Sequence, residues 1–442
     1  MRKPSPNSAR LLAYQLISQV NREGAYANIR LPELLWKSKL EQKDKNLVTE
    51  ISYGTLRMQG RHDFITKKFI DRDFDLLDPQ IQDLLRMGIH QLTQMRIPNH
   101  AAVSETVEVA RFAAGDSKAS YVNAILRKVS DNQEITADLA GLELVDSLSI
   151  QYSHPKWIIN AYHDQLRNWT EVEELLKANN EAATPDVIRW PGKSTHEEFL
   201  ELGANKISNA VNGYQIATVP SEFQPIIERR AGVQDRGSQM VVENFLATWQ
   251  PGLSWLDMCA GPGGKAAYLF HSLIEKEPEV SFLANEPIPH RAELVKRVVN
   301  NDLVVSVDAR EPGNFDQLFD RILIDAPCSG LGALRRRPEA RWRKNLADLK
   351  ELVVIQRQLL SSGAELLKPN GVIAYVTCSP HLSETKAQVM NFLIDHPEMV
   401  ILDISKMSSA HSAGHLDDGT VQLWTHRDKS DSMFMAFLQK IG

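Results

Sequence analysis

Apolar residues recur every three or four positions through the first third of the chain. Ala9, Leu12, Leu16 and Val20 keep that spacing over residues 8–20, as do Leu85, Ile89 and Leu92. Val103, Val107, Ala110 and Ala114 repeat it, and Val122, Ile125 and Val129 follow. Such spacing places apolar side chains on one face of each helix. Pro79, the run Arg96-Ile97-Pro98-Asn99 and Gly115-Asp116 break the pattern. A compact bundle of short helices is predicted, with no β-rich stretch before about residue 145. Residues 150–232 alternate less regularly: a helix over 157–180, a strand over 185–190, a helix over 195–202 and short strand-like pieces, hence a small α/β connector.

From residue 236 the pattern becomes regular. Short apolar runs at 253–258, 280–285, 303–307, 321–324 and 372–377 predict strands, most of them buried on both faces of a parallel sheet. Helices are predicted between them at 264–276, 289–300, 347–367 and 383–396. This alternation predicts a doubly wound, Rossmann-like α/β domain. The expected organisation is a helical domain at 1–145, a connector at 150–232 and the α/β domain at 233–442.

The chemistry gathers at the predicted strand ends. Strand one runs into Cys259, Ala260, Gly261, Pro262, Gly263, Gly264 and Lys265. Glycines there let the backbone turn tightly and approach a ligand, and the following helix start offers free N–H groups. Gly261, Gly263 and Ala266 fit the relaxed dinucleotide pattern G-x-G-x-x-A, and a structural turn without a ligand fits as well. Strand two ends at Glu286, where a carboxylate can accept both hydroxyls of a ribose. Strand three ends at Asp308, placed to accept from an adenine amino group. Strand four ends in Asp325-Ala326-Pro327-Cys328-Ser329-Gly330, and strand five in Thr377-Cys378-Ser379-Pro380. Ligands of open α/β sheets bind at these carboxyl ends. Neither Cys328 nor Cys378 has metal-ligand spacing around it, so no metal is expected. A disulfide, a structural thiol and nucleophilic chemistry remain.

Composition narrows the classes. The chain has 442 residues, 43% hydrophobic and 24% charged, which excludes disordered and collagen-like chains and disulfide miniproteins. No apolar run approaches the ~18 residues of a membrane span, and no secretory signal follows Met1-Arg2-Lys3-Pro4-Ser5-Pro6-Asn7-Ser8. Three scattered cysteines, Cys259, Cys328 and Cys378, argue for a reducing compartment, and a cytoplasmic location is expected. The net charge is −6, but residues 1–72 carry 14 basic against 7 acidic residues, +7. Arg335-Arg336-Arg337-Pro338-Glu339-Ala340-Arg341-Trp342-Arg343-Lys344 is a second basic run. Either is a solvated face or a phosphate-binding patch. Trp342 is a candidate for base stacking, or a buried core residue.

The motifs around Cys328 and Cys378 resemble the two-cysteine signature of RNA cytosine-5 methyltransferases. Cys259–Lys265 resembles their S-adenosylmethionine loop. The N-terminal third, with Ser52-Tyr53-Gly54-Thr55-Leu56-Arg57 and Tyr121-Val122-Asn123-Ala124-Ile125-Leu126-Arg127, is similar to the NusB-like RNA-binding domain. The pairing resembles bacterial 16S rRNA cytosine-5 methyltransferases over nearly the whole chain. The resemblance implies S-adenosylmethionine as cofactor, held by the Cys259–Lys265 loop, Glu286, Arg291, Asp308 and Asp325. It implies Cys378 as nucleophile toward cytosine C6, Cys328 in product release, and Asp325 on the cytosine edge. Lys265 would face either the cofactor or the cytosine. The partner implied is 16S rRNA, unassembled or partly assembled, with no membrane and with a monomer expected. This sequence departs from the family in Glu286 for Asp, Gly261 in the loop, Thr425 for Pro, and Glu384-Thr385 where many relatives have Glu-Asn.

Other classes are weaker. A DNA cytosine-5 methyltransferase would use the Pro-Cys thiol and would not need Cys378. A nicotinamide oxidoreductase would leave both cysteines unexplained. A non-catalytic NusB-like RNA-binding factor would not need the strand-end rim. A cytosine-5 methyltransferase acting on tRNA or 23S rRNA is the nearest alternative.

Overall fold

The computed structural model describes residues 8–132, 134, 138–407 and 413–442. The N-terminal reading through Asn7, including the basic Arg2 and Lys3, lies outside the described residues. The chain divides into two compact units. One holds the described residues up to Asn180 together with Leu334–Arg343, and the other holds Glu181–Ala333 and Lys344–Gly442.

The first unit is helical. Helices at Ala9–Glu23, Ala27–Lys37, Gln42–Arg57, Gln59–Lys67, Pro79–Thr93, Asn99–Ala114 and Asp116–Asp131 surround one core. The expected stripe residues Leu12, Leu16, Val20, Leu85, Ile89, Val122 and Val129 are all buried in it. Burying each such side chain contributes roughly 1.5–3 kcal/mol before ordering costs are subtracted. Local signals set the ends. Ser8 accepts from Leu11 N at 3.2 Å, and Asp78 accepts from Gln80 N ahead of Pro79. The helix expected over 157–180 is two helices, Lys156–Leu166 and Trp169–Asn180, because Arg167 takes a left-handed conformation (φ 52°) that ends the first. These helices belong to the first unit.

The second unit holds two sheets. The connector sheet is antiparallel, in order β2-β3-β1-β4, from β1 (Asp186–Arg189), β2 (Asn205–Lys206), β3 (Gly213–Gln215) and β4 (Ala231–Val233). It covers a small core of Val187, Phe199, Tyr214 and Phe223. Arg236 pairs with Asp186 at 2.9 Å and Asn212 donates to the Tyr268 hydroxyl at 2.9 Å, tying this sheet to the larger one.

The larger sheet contains β5 (Ser254–Asp257), β6 (Ser281–Asn285), β7 (Val304–Val305), β8 (Phe319–Asp325), β9 (Leu367–Thr377), β10 (Met399–Ile401), β11 (Val421–Gln422) and β12 (Phe434–Lys440). Its order is β10-β12-β9-β8-β5-β6-β7, with β11 beside β12. Strands β5–β9 are parallel and correspond to the five expected runs. The sheet is mixed rather than wholly parallel, since β12 runs antiparallel to β9 and β10. Phe434–Leu438 is a buried apolar run like those of β5 and β8, so its direction is not written in its composition. Helices Arg236–Leu246 and Gly264–Lys276 cover one face, and Leu346–Leu366 and Lys386–Asp395 the other. The fold is therefore a helical bundle, a small antiparallel connector sheet and a Rossmann-like α/β domain. Among the described residues no helix is long and apolar enough to cross a membrane.

Candidate active site

The parallel strands β9, β8, β5, β6 and β7 point their carboxyl ends to one rim. The loop after β5 is held against β6: Ala260 N donates to the Asn285 carbonyl at 2.8 Å, and Gly263 N to the Ala260 carbonyl at 2.8 Å. Gly263 sits at φ +112°, where a side chain would be strained, and begins the helix Gly264–Lys276. Gly261 lies so close to the next strand end that a Cβ there would come within 1.8 Å of Glu286 Oε2. Arg291 Nη2 donates to the Gly261 carbonyl at 2.6 Å and pairs with Glu286 Oε2 at 3.3 Å. Glu286 is buried and also accepts from Ile288 N at 3.0 Å. Cys259 is half-buried, and burial followed by the negative charges around it pushes its thiol well up. Asp308 lies at the end of the row with its carboxylate taken by Arg310, Nε to Oδ1 at 2.9 Å.

Beneath the loop is a group the sequence reading did not single out. Asp257, the last residue of β5, is 1% exposed and its carboxyl has no side-chain hydrogen-bond partner among the described residues, only the Cys259 backbone nearby. Burial, with the nearby Asp325 carboxylate, pushes its carboxyl up to about 8. At neutral pH it is mostly an acid with a proton to donate. Its position at a glycine-flanked strand end was the available signal.

At the centre of the rim, Cys328 Sγ and Cys378 Sγ lie 3.2 Å apart. Both are half-buried. Lys265 Nζ donates to Asp325 Oδ2 at 2.8 Å, so Lys265 is placed on Asp325 rather than left facing open space. Burial opposes the Lys265 ammonium, but Asp325 outweighs it and the group stays charged. The hydrogen bond from Cys328 lowers the Cys378 thiol, with the Lys265 charge helping against burial and Asp325. Cys328 moves the other way, raised by its bond to Cys378, by burial and by the negative charges of Cys378 and Glu384. The two thiols are thus unequal, Cys378 lowered and Cys328 raised, in a pair where either sulfur can be the donor.

The backbone that carries the sulfurs is tied together. Gly332 N donates to the Cys378 carbonyl at 2.9 Å. Ser379 Oγ donates to Ser329 Oγ at 3.1 Å. Glu384, fully buried, accepts from Ser329 N at 2.7 Å, Ser329 Oγ at 2.5 Å and Gln356 Nε2 at 3.1 Å. Gln356 and Ser329 carried no sequence motif of their own, and Glu384 stood out only as part of a departure from the family pattern.

Part of the basic run at 335–344 is structural. Leu334–Arg343 belongs to the helical unit, where Arg341 is fully buried while Arg337 is exposed. Arg341 donates to the carbonyls of Arg57 at 3.3 Å, Ser153 at 3.1 Å and Asn179 at 3.4 Å, and to Asn180 Oδ1 at 2.9 Å. These acceptors sit at the C-terminal ends of three helices, where partial negative charge accumulates. Arg343 does the same for the first helix, reaching the Val20 carbonyl at 2.6 Å and the Gly24 carbonyl at 3.2 Å. Glu339 Oε1 accepts from Ala27 N at 3.3 Å, at the start of the second helix. Trp342 is half-buried, with its indole nitrogen buried and its ring so near Gly60 that a Cβ there would lie 2.4 Å from it. A different tryptophan is exposed. Trp36 is 83% accessible, next to Lys37, and Lys39 and Lys43 are exposed a few residues on.

Comparison with known proteins gives a consistent picture. Residues 245–439 match the family model for 16S rRNA methyltransferase RsmB/F, and residues 7–131 match the NusB family. A provisionally named methyltransferase of Mycobacterium tuberculosis is 37% identical over 449 residues, covering 98% of this chain and 96% of that protein. Ribosomal RNA small subunit methyltransferase B of Cronobacter sakazakii is 32% identical, covering 88% of this chain and 90% of the relative. One crystal structure, 22% identical, superposes with a TM-score of 0.82 over 99% of this chain and all of its own. NSun6 from Pyrococcus horikoshii, solved with SFG, is 17% identical, with a TM-score of 0.55 over 65% of this chain and 98% of its own.

Proposed function

The chain belongs to the 16S rRNA methyltransferase RsmB/F family, and from that premise we propose that it methylates C5 of a cytosine in 16S rRNA through a covalent bond between Cys378 and C6. That it is an RNA methyltransferase follows from the family. The observation that supports the finer reading is the pair of sulfurs 3.2 Å apart at the ends of β8 and β9, beside the Lys265–Asp325 pair.

Cytosine C5 is a poor nucleophile. Addition of the Cys378 thiolate to C6 moves electron density onto C5, which makes methyl transfer accessible. Removal of the C5 proton then lets Cys378 leave, and Cys328 assists that release. Asp325, oriented by Lys265, holds the cytosine N3 and amino edge and offsets charge as it builds. S-adenosylmethionine, when bound, supplies the electrophilic methyl group. Residues Cys259–Lys265 fit such a ligand: Gly261 leaves only backbone against Glu286, and the buried Asp257 carboxyl has no side-chain partner among the described residues. Glu286 is assigned to the ribose, Asp308 to the adenine with its Arg310 contact opened, and Arg291 to fixing the loop. Replacing Glu286 by Ala is expected to weaken S-adenosylmethionine binding by about 1–3 kcal/mol, the scale for a lost charged hydrogen bond. Unchanged affinity in titration calorimetry removes Glu286 from the site.

In this reading the target base leaves the RNA stack to reach the rim. Residues 1–145 and the connector 150–232 bind RNA, and 233–442 carry out transfer, in a cytoplasmic monomer. Trp36 with Lys37, Lys39 and Lys43 is the assigned contact surface of the helical part. Trp36→Ala is expected to weaken RNA binding by about 1–3 kcal/mol. Replacing the three lysines by Ala is expected to flatten the salt dependence of log K by roughly 2. An unaltered slope in the full-length protein places the RNA elsewhere.

The test of the whole reading is incubation with S-adenosylmethionine and protein-free 16S rRNA, followed by mapping of 5-methylcytosine. Methylation at another atom sinks the C5 reading. Product on tRNA or 23S rRNA but not on 16S rRNA redirects the substrate.

A further inference from the structure

Two sulfurs 3.2 Å apart share a single hydrogen bond, so only one can act as donor. Charged groups lie around both. Glu384 accepts from both the backbone and the hydroxyl of Ser329, the residue next to Cys328. Asp325 and, in the opposite sense, Lys265 act on Cys378. Glu384 also fixes geometry. It joins the turn after β9 to the loop after β8, and Gln356 Nε2 braces both, donating to Glu384 and to the Pro327 carbonyl at 2.9 Å. The Tyr375 hydroxyl donates to the Glu384 carbonyl at 2.9 Å.

We propose that Glu384 is a positioning residue that keeps the shared proton on Cys328 in the free enzyme, leaving Cys378 as the thiolate. The proton lost on ionisation departs from Cys378 to solvent, and the Cys328 S–H donates to the sulfur left behind. A negative charge beside Cys328 disfavours a second anion there. The other charged or titratable groups acting on the pair are Lys265, Asp325, Asp431 and Tyr375, with Asp257 behind Lys265. Lys265 favours a thiolate on Cys378, whereas Asp325 and Asp431 oppose it, so the carboxylates on that side do not create the asymmetry. The raised Cys328 thiol agrees with this arrangement. The proposal rests on reading the two cysteines as a working pair.

Alkylation of the full-length protein by iodoacetamide tests it, with each cysteine quantified by mass spectrometry from pH 6 to 9. Wild-type protein is expected to be modified at Cys378 faster than at Cys328, by about tenfold or more at pH 7.5. Glu384→Gln keeps a similar shape and removes the charge. It is expected to reduce that preference at least ~5-fold, with Cys328 becoming reactive at lower pH. Ser329→Ala keeps the charge and the backbone N–H bond, and is expected to retain the preference. A preference unchanged in folded Glu384→Gln overturns the proposal, as does an equal loss in Ser329→Ala. Should Glu384→Gln fail to fold, wild-type protein reacting first at Cys328 overturns it alone. No RNA or methyl transfer enters this readout, so a wild-type enzyme that makes no 5-methylcytosine sinks the functional reading without touching this one.

Discussion

With Cys378 replaced by Ala, the protein is expected to form no covalent complex with RNA and to lose methyl transfer by about 10^4-fold or more, because addition to C6 is what makes C5 reactive. Cys328→Ala is expected to behave differently. It still attacks and accepts the methyl group, but the adduct persists, and an enzyme–RNA band resistant to denaturing gel electrophoresis builds up. The two residues occupy neighbouring strand ends and nearly touch, yet Lys265 acts on Cys378 and Glu384 on Cys328. The reverse pattern, with adduct only in Cys378→Ala, moves the nucleophile to Cys328. Methylation intact in both variants removes the thiols from the chemistry.

Arg341→Ala is expected to destabilise the helical unit by about 3–5 kcal/mol, because the carbonyl ends of three helices lose their shared donor in a buried setting. The first thermal transition should fall by on the order of 10 °C. Arg341→Lys keeps a charge but offers no planar fork able to reach several carbonyls, and is expected to recover less than half of the loss. Denaturation followed by circular dichroism checks this. A variant that melts with wild-type protein shows that the carbonyls find other partners and that Arg341 is dispensable.

Much of the rim was legible because its signals are local. The glycine loop, Glu286, Asp325 and both cysteine motifs each lie within a few residues of the strand that places them, and the apolar runs located those strands. The edge strand β10 and its neighbour β12 were missed, and a buried apolar run such as that of β12 does not state its direction. The basic run at 335–344 did not show, for a related reason, that part of it is structural. Its charge is visible in the sequence, but Arg341 meets Arg57 and Arg343 meets Val20, 284 and 323 positions away. No local pattern separates an arginine bound for phosphate from one bound for a helix end. Glu384 was equally opaque: its link to Ser329 spans 55 residues.

The assignment of Leu334–Arg343 to the helical unit has a consequence for how the chain is made. The ribosome completes the helices up to Asn180 long before it adds Arg341 and Arg343. Until then the ends of the helices at Ala9–Glu23, Gln42–Arg57, Leu144–Tyr152 and Trp169–Asn180 wait without their donors. The nascent bundle is therefore an unfinished fold through most of translation, and its completion depends on a segment synthesised after Cys328. A protein truncated before residue 334 keeps the whole NusB-like sequence and still lacks the parts that close it. Synthesis thereby couples completion of the helical unit to a segment made after the loop that carries Cys328.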